Sequence, residues 1–264
     1  METTMNSNQS NAGVLLRLIL IELKEYFRNV QAAFWTFLYP MAIVFFLMLA
    51  FGGGTVDGGI GGLSYGSYLI CGMLAVNIMS MGFFGFGIPF MEARNRGAFK
   101  MYHVFPVWKF SYISSFVLSR VLVVVLFSLV FVAANNLIYG LGLDLTVHKM
   151  FKLSVVVGFS ALAFISMTFL LVSFMSKTAT ATAVLNIVFY PMMIFSDLFI
   201  PEESMMEQLA WINQVSPLSL TAVSFREIVI NDVTLASQFN LFMTLAAIAI
   251  VCMLISLKSF QYRR

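Results

Sequence analysis

Charge is scarce in this sequence. Lys, Arg, Asp and Glu together make up 10% of the 264 residues, against about 25% in an average soluble domain. Hydrophobic residues make up 60%, with 28 Phe and 18 Met, and they fall in long runs. No soluble core of this length absorbs so much apolar surface, so lipid is the solvent the chain is built for. A net charge of only +3 argues against nucleic acid as a partner. Cysteine is nearly absent too: Cys71 and Cys252 lie in separate apolar runs without metal-type spacing, and read as small core hydrophobes.

Catalytic signatures are also lacking. His103 and His148 fall in different loops, expected on opposite membrane faces, and there is no H-E-x-x-H or G-x-S-x-G. A phosphate-binding G-x-x-x-x-G-K-[ST] loop is missing, because Gly52-Gly53-Gly54-Thr55 has no lysine and follows an apolar run. The chain is therefore not expected to hydrolyse ATP. Residues 1–12 carry no Lys or Arg, and no small-residue cleavage site follows, so they do not read as a secretory leader and the N-terminus is expected to be kept.

What is there is a succession of apolar stretches near the roughly 20 residues a bilayer requires. Six spans are expected, at 32–51, 68–90, 112–137, 153–174, 181–200 and 235–257, joined by a Gly-rich loop at 52–62 and a tight turn at Ser176-Lys177-Thr178. Ahead of them, 14–28 is interrupted by Arg17, Lys24 and Arg28, whose spacing places all three on one helical stripe with Glu25 beside it. Such a helix prefers the membrane interface to the bilayer centre. The fold class is thus an all-α integral membrane protein, six transmembrane helices preceded by an amphipathic interfacial helix. Residues 1–30 form the tail and amphipathic helix, and 31–264 the six-helix domain.

Orientation follows from Lys and Arg. With the N-terminus inside, Arg17, Lys24, Arg28, Arg94, Arg96, Lys100, Lys109, Lys177, Lys258, Arg263 and Arg264 are cytoplasmic, leaving only Lys149, Lys152 and Arg226 outside. Both termini are then cytoplasmic. Arg120, about 12 Å into the third span at 1.5 Å per residue, is expected to snorkel to the inner headgroups, and Asp197 to mark the outer end of the fifth. Between the last two spans, 201–232 is too long for a turn and too apolar for a free loop. Pro201-Glu202-Glu203 starts one short helix, and Ser216-Pro217 caps a second, giving an outer-leaflet re-entrant hairpin. Arg226 in the second arm is expected to pair with Glu227 or Glu203 or to meet lipid headgroups.

Two stretches carry a family resemblance. The loop 91–109 contains Glu92, Arg94, Arg96 and Gly97, then Phe105-Pro106. Tyr190-Pro191-Met192-Met193-Ile194-Phe195-Ser196-Asp197-Leu198-Phe199-Ile200-Pro201 follows in the fifth span, and then Trp211, Ser216-Pro217-Leu218 and Arg226. The first resembles the coupling loop of the ATP-binding-cassette (ABC) exporter permeases of the second exporter class. The second is similar to their F-P-M-x-x-x-S-G-x-x-x-P stretch and the W, x-P-L and R beyond it. Two departures stand out: Asp197 replaces the usual Gly, and Phe105 the usual Thr before Pro106.

The resemblance implies a permease subunit of an ATP-driven exporter, moving an amphipathic or lipid-like substrate out of the cytoplasm, in a bacterial inner membrane. It implies two separate ABC ATPase subunits, which hold the ATP and Mg, no cofactor in this chain, and a second permease copy. Glu92, Arg94, Arg96, Gly97 and Pro106 would couple to the ATPase; Pro191, Asp197, Pro201, Trp211, Pro217 and Arg226 would shape the exit side. The alternatives are an ion-coupled secondary carrier and a non-transporting scaffold of a secretion or pilus machine.

Overall fold

The computed structural model describes residues 11–28, 30, 34–51, 65–97, 109–196 and 216–259. Every regular element among them is a helix: α1 (Asn11–Arg28), α2 (Tyr39–Phe51) entered through a π-helical turn Phe34–Leu38, and α3 (Tyr65–Ser80), which runs through a second π-helical stretch, Met81–Phe86, into α4 (Gly87–Asn95). There follow α5 (Lys109–Tyr139), α6 (Val147–Ser173), α7 (Thr178–Ile194), α8 (Pro217–Val229) and α9 (Phe239–Ser259), the last entered through a 3-10 turn, Leu235–Gln238.

Among the described residues, four helices are long and apolar enough to cross a membrane, Gly66–Asn95, Ile113–Tyr139, Val147–Ser173 and Leu235–Ser256, and two shorter apolar helices cover Thr36–Ala50 and Thr178–Ile194. In lipid a helix is the natural choice, because it pairs its own backbone groups where water cannot. The α3–α4 rod is central. Every residue from Gly66 to Met79 is buried, which explains why this run is apolar on all sides and not along one stripe. Around it pack α5, α6 and α8, while α9 lies along α6 and α1 lies along α5.

Aromatic rings fill one half of the bundle. Phe86 stacks on Phe90 at 5.3 Å, and Phe90 meets Phe116 of α5 and Phe169 of α6 edge-on. Gly82 allows a close approach to the α6 backbone: a Cβ there would lie 2.7 Å from Phe164 Cβ of α6. Gly158, by contrast, faces open space. The turn joining α5 to α6 is held by Asn136, whose amide donates to the Leu143 carbonyl (2.9 Å) and accepts from its N–H (3.0 Å), with Gly140 and Gly142 at positive φ on either side of Leu141.

Several expectations meet the structure directly. The turn at Ser176-Lys177 is present, and α8 starts at Pro217 with Ser216 in extended backbone before it. The Ser216 hydroxyl makes no cap bond, however; Pro217 has no N–H and presets the first turn, so the helix begins without it. The Gly-rich loop at 52–62, Pro106, Asp197, Pro201 and Trp211, and with them the first arm of the expected hairpin, lie outside the described residues.

Candidate functional site

Glu92 to Gly97 close the α3–α4 rod. Arg96 is the last helical-geometry residue, its N–H bonded to the Glu92 carbonyl at 2.9 Å, and Gly97 follows with φ +75°. A left-handed residue at that point ends a helix cleanly, and glycine takes it without strain. The Glu92 and Arg96 side chains face solvent and pair at 3.4 Å. Exposed pairs of this kind contribute little to stability.

Arg94 points the other way. Its Nη1 donates to the carbonyls of Val172 (3.4 Å) and Met175 (3.2 Å), at the C-terminal end of α6. A cation there also meets the negative pole of the helix. Asn95 donates to Thr178 Oγ1 (2.9 Å), the first residue of α7. Two consecutive side chains thus pin the end of one long helix to the turn joining the next pair. At the same end of the bundle the Ser256 hydroxyl of α9 donates to the Phe169 carbonyl (3.4 Å).

At the opposite end, Arg226 is 2% exposed, with its guanidinium carbon 3.6 Å from the centre of the Tyr68 ring. Expected to pair with Glu227 or Glu203 or to meet headgroups, Arg226 is a buried cation stacked on an aromatic face, where desolvation strengthens the attraction. The reason is packing: α8 turns Arg226, Ala222 and Phe225 inward against α3 and α6. Its neighbour Glu227 accepts instead from Gln238 Nε2 (3.3 Å). Pro217 is buried at the start of α8, and Pro191 is exposed near the end of α7.

Lys152 adds a link at this end that no motif announced. It is almost wholly buried, and its Nζ donates to Asp232 Oδ1 (2.8 Å) and to the Asp232 carbonyl (3.2 Å). Asp232 itself holds φ +51°. The hydrogen bond from Lys152 keeps the Asp232 carboxyl below its ordinary range, partial desolvation working against it and the charges of Lys152, Lys149 and His148 adding to it. The available signal was the position of Lys152 inside an apolar run, where a lone cation needs a partner.

Arg120 corrects another expectation. It is 4% exposed and does not reach the headgroups; its Nε donates to the Gly85 carbonyl (3.0 Å), and its Nη2 lies 3.6 Å from Glu22 Oε2. Its guanidinium also sits 4.9 Å from the Tyr26 ring and 4.6 Å from the Phe116 ring. Burial pushes the Glu22 carboxyl up to about 7, against the pull of Arg120 and with Glu25 adding to the rise. Glu22 and Tyr26 lie on the face of α1 away from Arg17, Lys24 and Arg28, which are exposed. That separation was readable in the spacing; the partner was not.

An end-to-end clamp, an inward outer-side helix and a basic-faced leading helix thus decorate one helical bundle. A family model, described as ABC-2 type transporter, matches residues 14–230. The chain belongs to that family. This ABC-2 protein is accordingly a multi-pass membrane permease of an ABC transporter, and the match spans α1 through α8, including both candidate regions. No curated protein matches the sequence.

Proposed function

We propose that this ABC-2 permease is the membrane subunit of an ATP-driven exporter with six spans, the four long helices being joined by the two shorter ones at Thr36–Ala50 and Thr178–Ile194. Both termini face the cytoplasm of a bacterial inner membrane. Residues 1–30 hold the interfacial helix, and 31–264 the permease domain with its coupling loop at 91–109 and outer hairpin at 201–232. Two ABC ATPase subunits, carrying ATP and Mg, contact α1 and the coupling loop, and a second permease copy completes the pathway. Arg96, Glu92, Gly97 and Pro106 face the ATPase, while Pro191, Asp197, Pro201, Trp211, Pro217 and Arg226 shape the exit. The cargo is amphipathic or lipid-like.

The observation that carries this reading is the clamp formed by Arg94 and Asn95. Because it ties Arg94 of α4 to Val172 and Met175, and Asn95 to Thr178, a push on the loop reaches three apolar helices at once. Such a push biases a bundle with two arrangements.

The test combines sidedness and coupling. A cysteine at Arg96 should resist a membrane-impermeant maleimide in intact cells and react after permeabilisation, with the parent chain as control. An ATP-binding subunit should co-purify with the permease. Gly97→Pro and Glu92→Ala should abolish export while the permease still reaches the membrane. Labelling of the cysteine in intact cells would refute the topology, and wild-type export from both variants would refute the coupling role.

A further inference from the structure

Each of the two π-helical stretches precedes a proline that withholds a backbone donor. Pro40 lies four residues beyond Thr36, and Pro89 four residues beyond Gly85. An α-helical carbonyl takes its hydrogen bond from the N–H four residues on. Proline has none, and its ring crowds that same carbonyl. In lipid the loss is serious, since water is not there to substitute. Both carbonyls receive a side-chain donor from another helix: Asn77 Nδ2 of α3 donates to Thr36 O (3.2 Å), and Arg120 Nε of α5 donates to Gly85 O (3.0 Å).

These two repairs meet at α1. The Tyr26 hydroxyl bonds Thr36 Oγ1 of the first π turn, and also contacts Met81 Sδ of the second stretch at 3.4 Å. Arg120 is held from the other side by Glu22, with both side chains almost wholly buried. Met81–Phe86 therefore depends on a donor whose position α1 controls. π-Helical stretches inside long helices recur at functional sites.

We propose that Glu22, Tyr26 and Arg120 form a latch by which α1 sets the winding of Met81–Phe86, Arg120 standing in for the N–H that Pro89 lacks. The proposal rests on the coupling role given to α1 above for its source of motion. The latch itself lies within this one chain. While Arg120 sits on the Gly85 carbonyl, the π stretch is held; when α1 moves, Glu22 and Tyr26 withdraw their hold on the guanidinium, and the stretch is released. Arg120 is thus a positioning residue, acting on the central helix through one carbonyl.

The experiment is a double-variant cycle on the purified permease in lipid nanodiscs, read by thermal unfolding and by amide hydrogen exchange across 81–88, without ATPase or cargo. Arg120→Gln should lower the unfolding midpoint and raise exchange across 81–88 by about ten-fold, the ratio expected for one net charged hydrogen bond. Pro89→Ala restores a backbone donor to Gly85. In that background Arg120→Gln should change exchange across 81–88 far less. Glu22→Gln should raise exchange across 81–88 in the wild-type background and add nothing to Arg120→Gln. If Arg120→Gln alone does not give a monodisperse protein, its recovery by Pro89→Ala is the supporting result. An Arg120→Gln effect of equal size with and without Pro89, a double variant that also fails to fold, or a Glu22→Gln variant with unchanged exchange across 81–88 would each overturn the latch. None of these outcomes depends on the exporter reading, so either can fail alone.

Discussion

Replacing Gly82 by alanine adds one methyl group against the backbone of α6. Its ideal position is 2.7 Å from Phe164 Cβ, 3.2 Å from the Phe164 carbonyl carbon and 3.3 Å from the Ile165 nitrogen. Carbon atoms rest about 3.5–4.0 Å apart, and two of these neighbours are main chain, so no rotamer change relieves the contact. The central rod and α6 must separate by roughly 1 Å, and overpacking of this kind costs about 1–3 kcal/mol. Alanine returns up to about 1 kcal/mol through its better helix propensity. The net loss is about 1 kcal/mol, a fall of about 2–4 °C in the unfolding midpoint. Gly158 supplies the control on α6, with nothing within 4 Å of an added Cβ. There only the propensity gain remains, and Gly158→Ala should raise the midpoint by a similar amount. Thermal scanning of the two variants in the same detergent, each monodisperse by size exclusion, measures the contrast. A Gly82→Ala protein as stable as wild type, or a Gly158→Ala protein as weakened as Gly82→Ala, would refute the packing argument.

Further outcomes follow from the ends of the bundle. Gly97→Ala should cost about 1 kcal/mol of local strain from its left-handed φ, with no clash, and should weaken coupling less than Gly97→Pro, which cannot take that conformation at all. Arg94→Gln removes the cation from the Val172 and Met175 carbonyls and should raise hydrogen exchange at the turn before Thr178, at a cost of about 1 kcal/mol. The Asp232 carboxyl titrates below its ordinary 3.8 in the folded protein, so its stabilising effect is present above pH 3.8 and is lost as pH falls through the lower, folded value. Acid unfolding scans of Asp232→Asn should lack that component, and a limb identical to wild type would contradict the Lys152 pairing. Tyr68→Leu should lower stability by about 2 kcal/mol through loss of the stack on buried Arg226, measured by thermal scanning.

Much of the architecture was legible because lipid makes secondary structure a local matter. Run length alone located the helices now seen at Gly66–Asn95, Ile113–Tyr139, Val147–Ser173 and Leu235–Ser256. Ser216-Pro217 marked the start of α8, and Lys177 the turn before α7. Glu92 and Gly97, read first as elements of a motif, acquired physical reasons: a helix end facing solvent and a left-handed cap. The charges were harder. Arg120 was assigned to headgroups, and Arg226 to Glu227, Glu203 or headgroups, because a long cationic side chain near a span end usually reaches water or an exposed acid. What decided otherwise was the neighbour each helix happens to have, Gly85 and Glu22 for one and Tyr68 for the other.

Sequence by itself therefore determined the solvent, the helices and the family, since each depends on residues close together along the chain. Tertiary structure alone decided where Lys152, Arg120 and Asn77 find their partners. The two prolines show why. Inside a helix the backbone pairs with itself except at the carbonyl four residues before a proline, and at Thr36 and Gly85 a donor arrives from a different helix, whose identity only the packing sets.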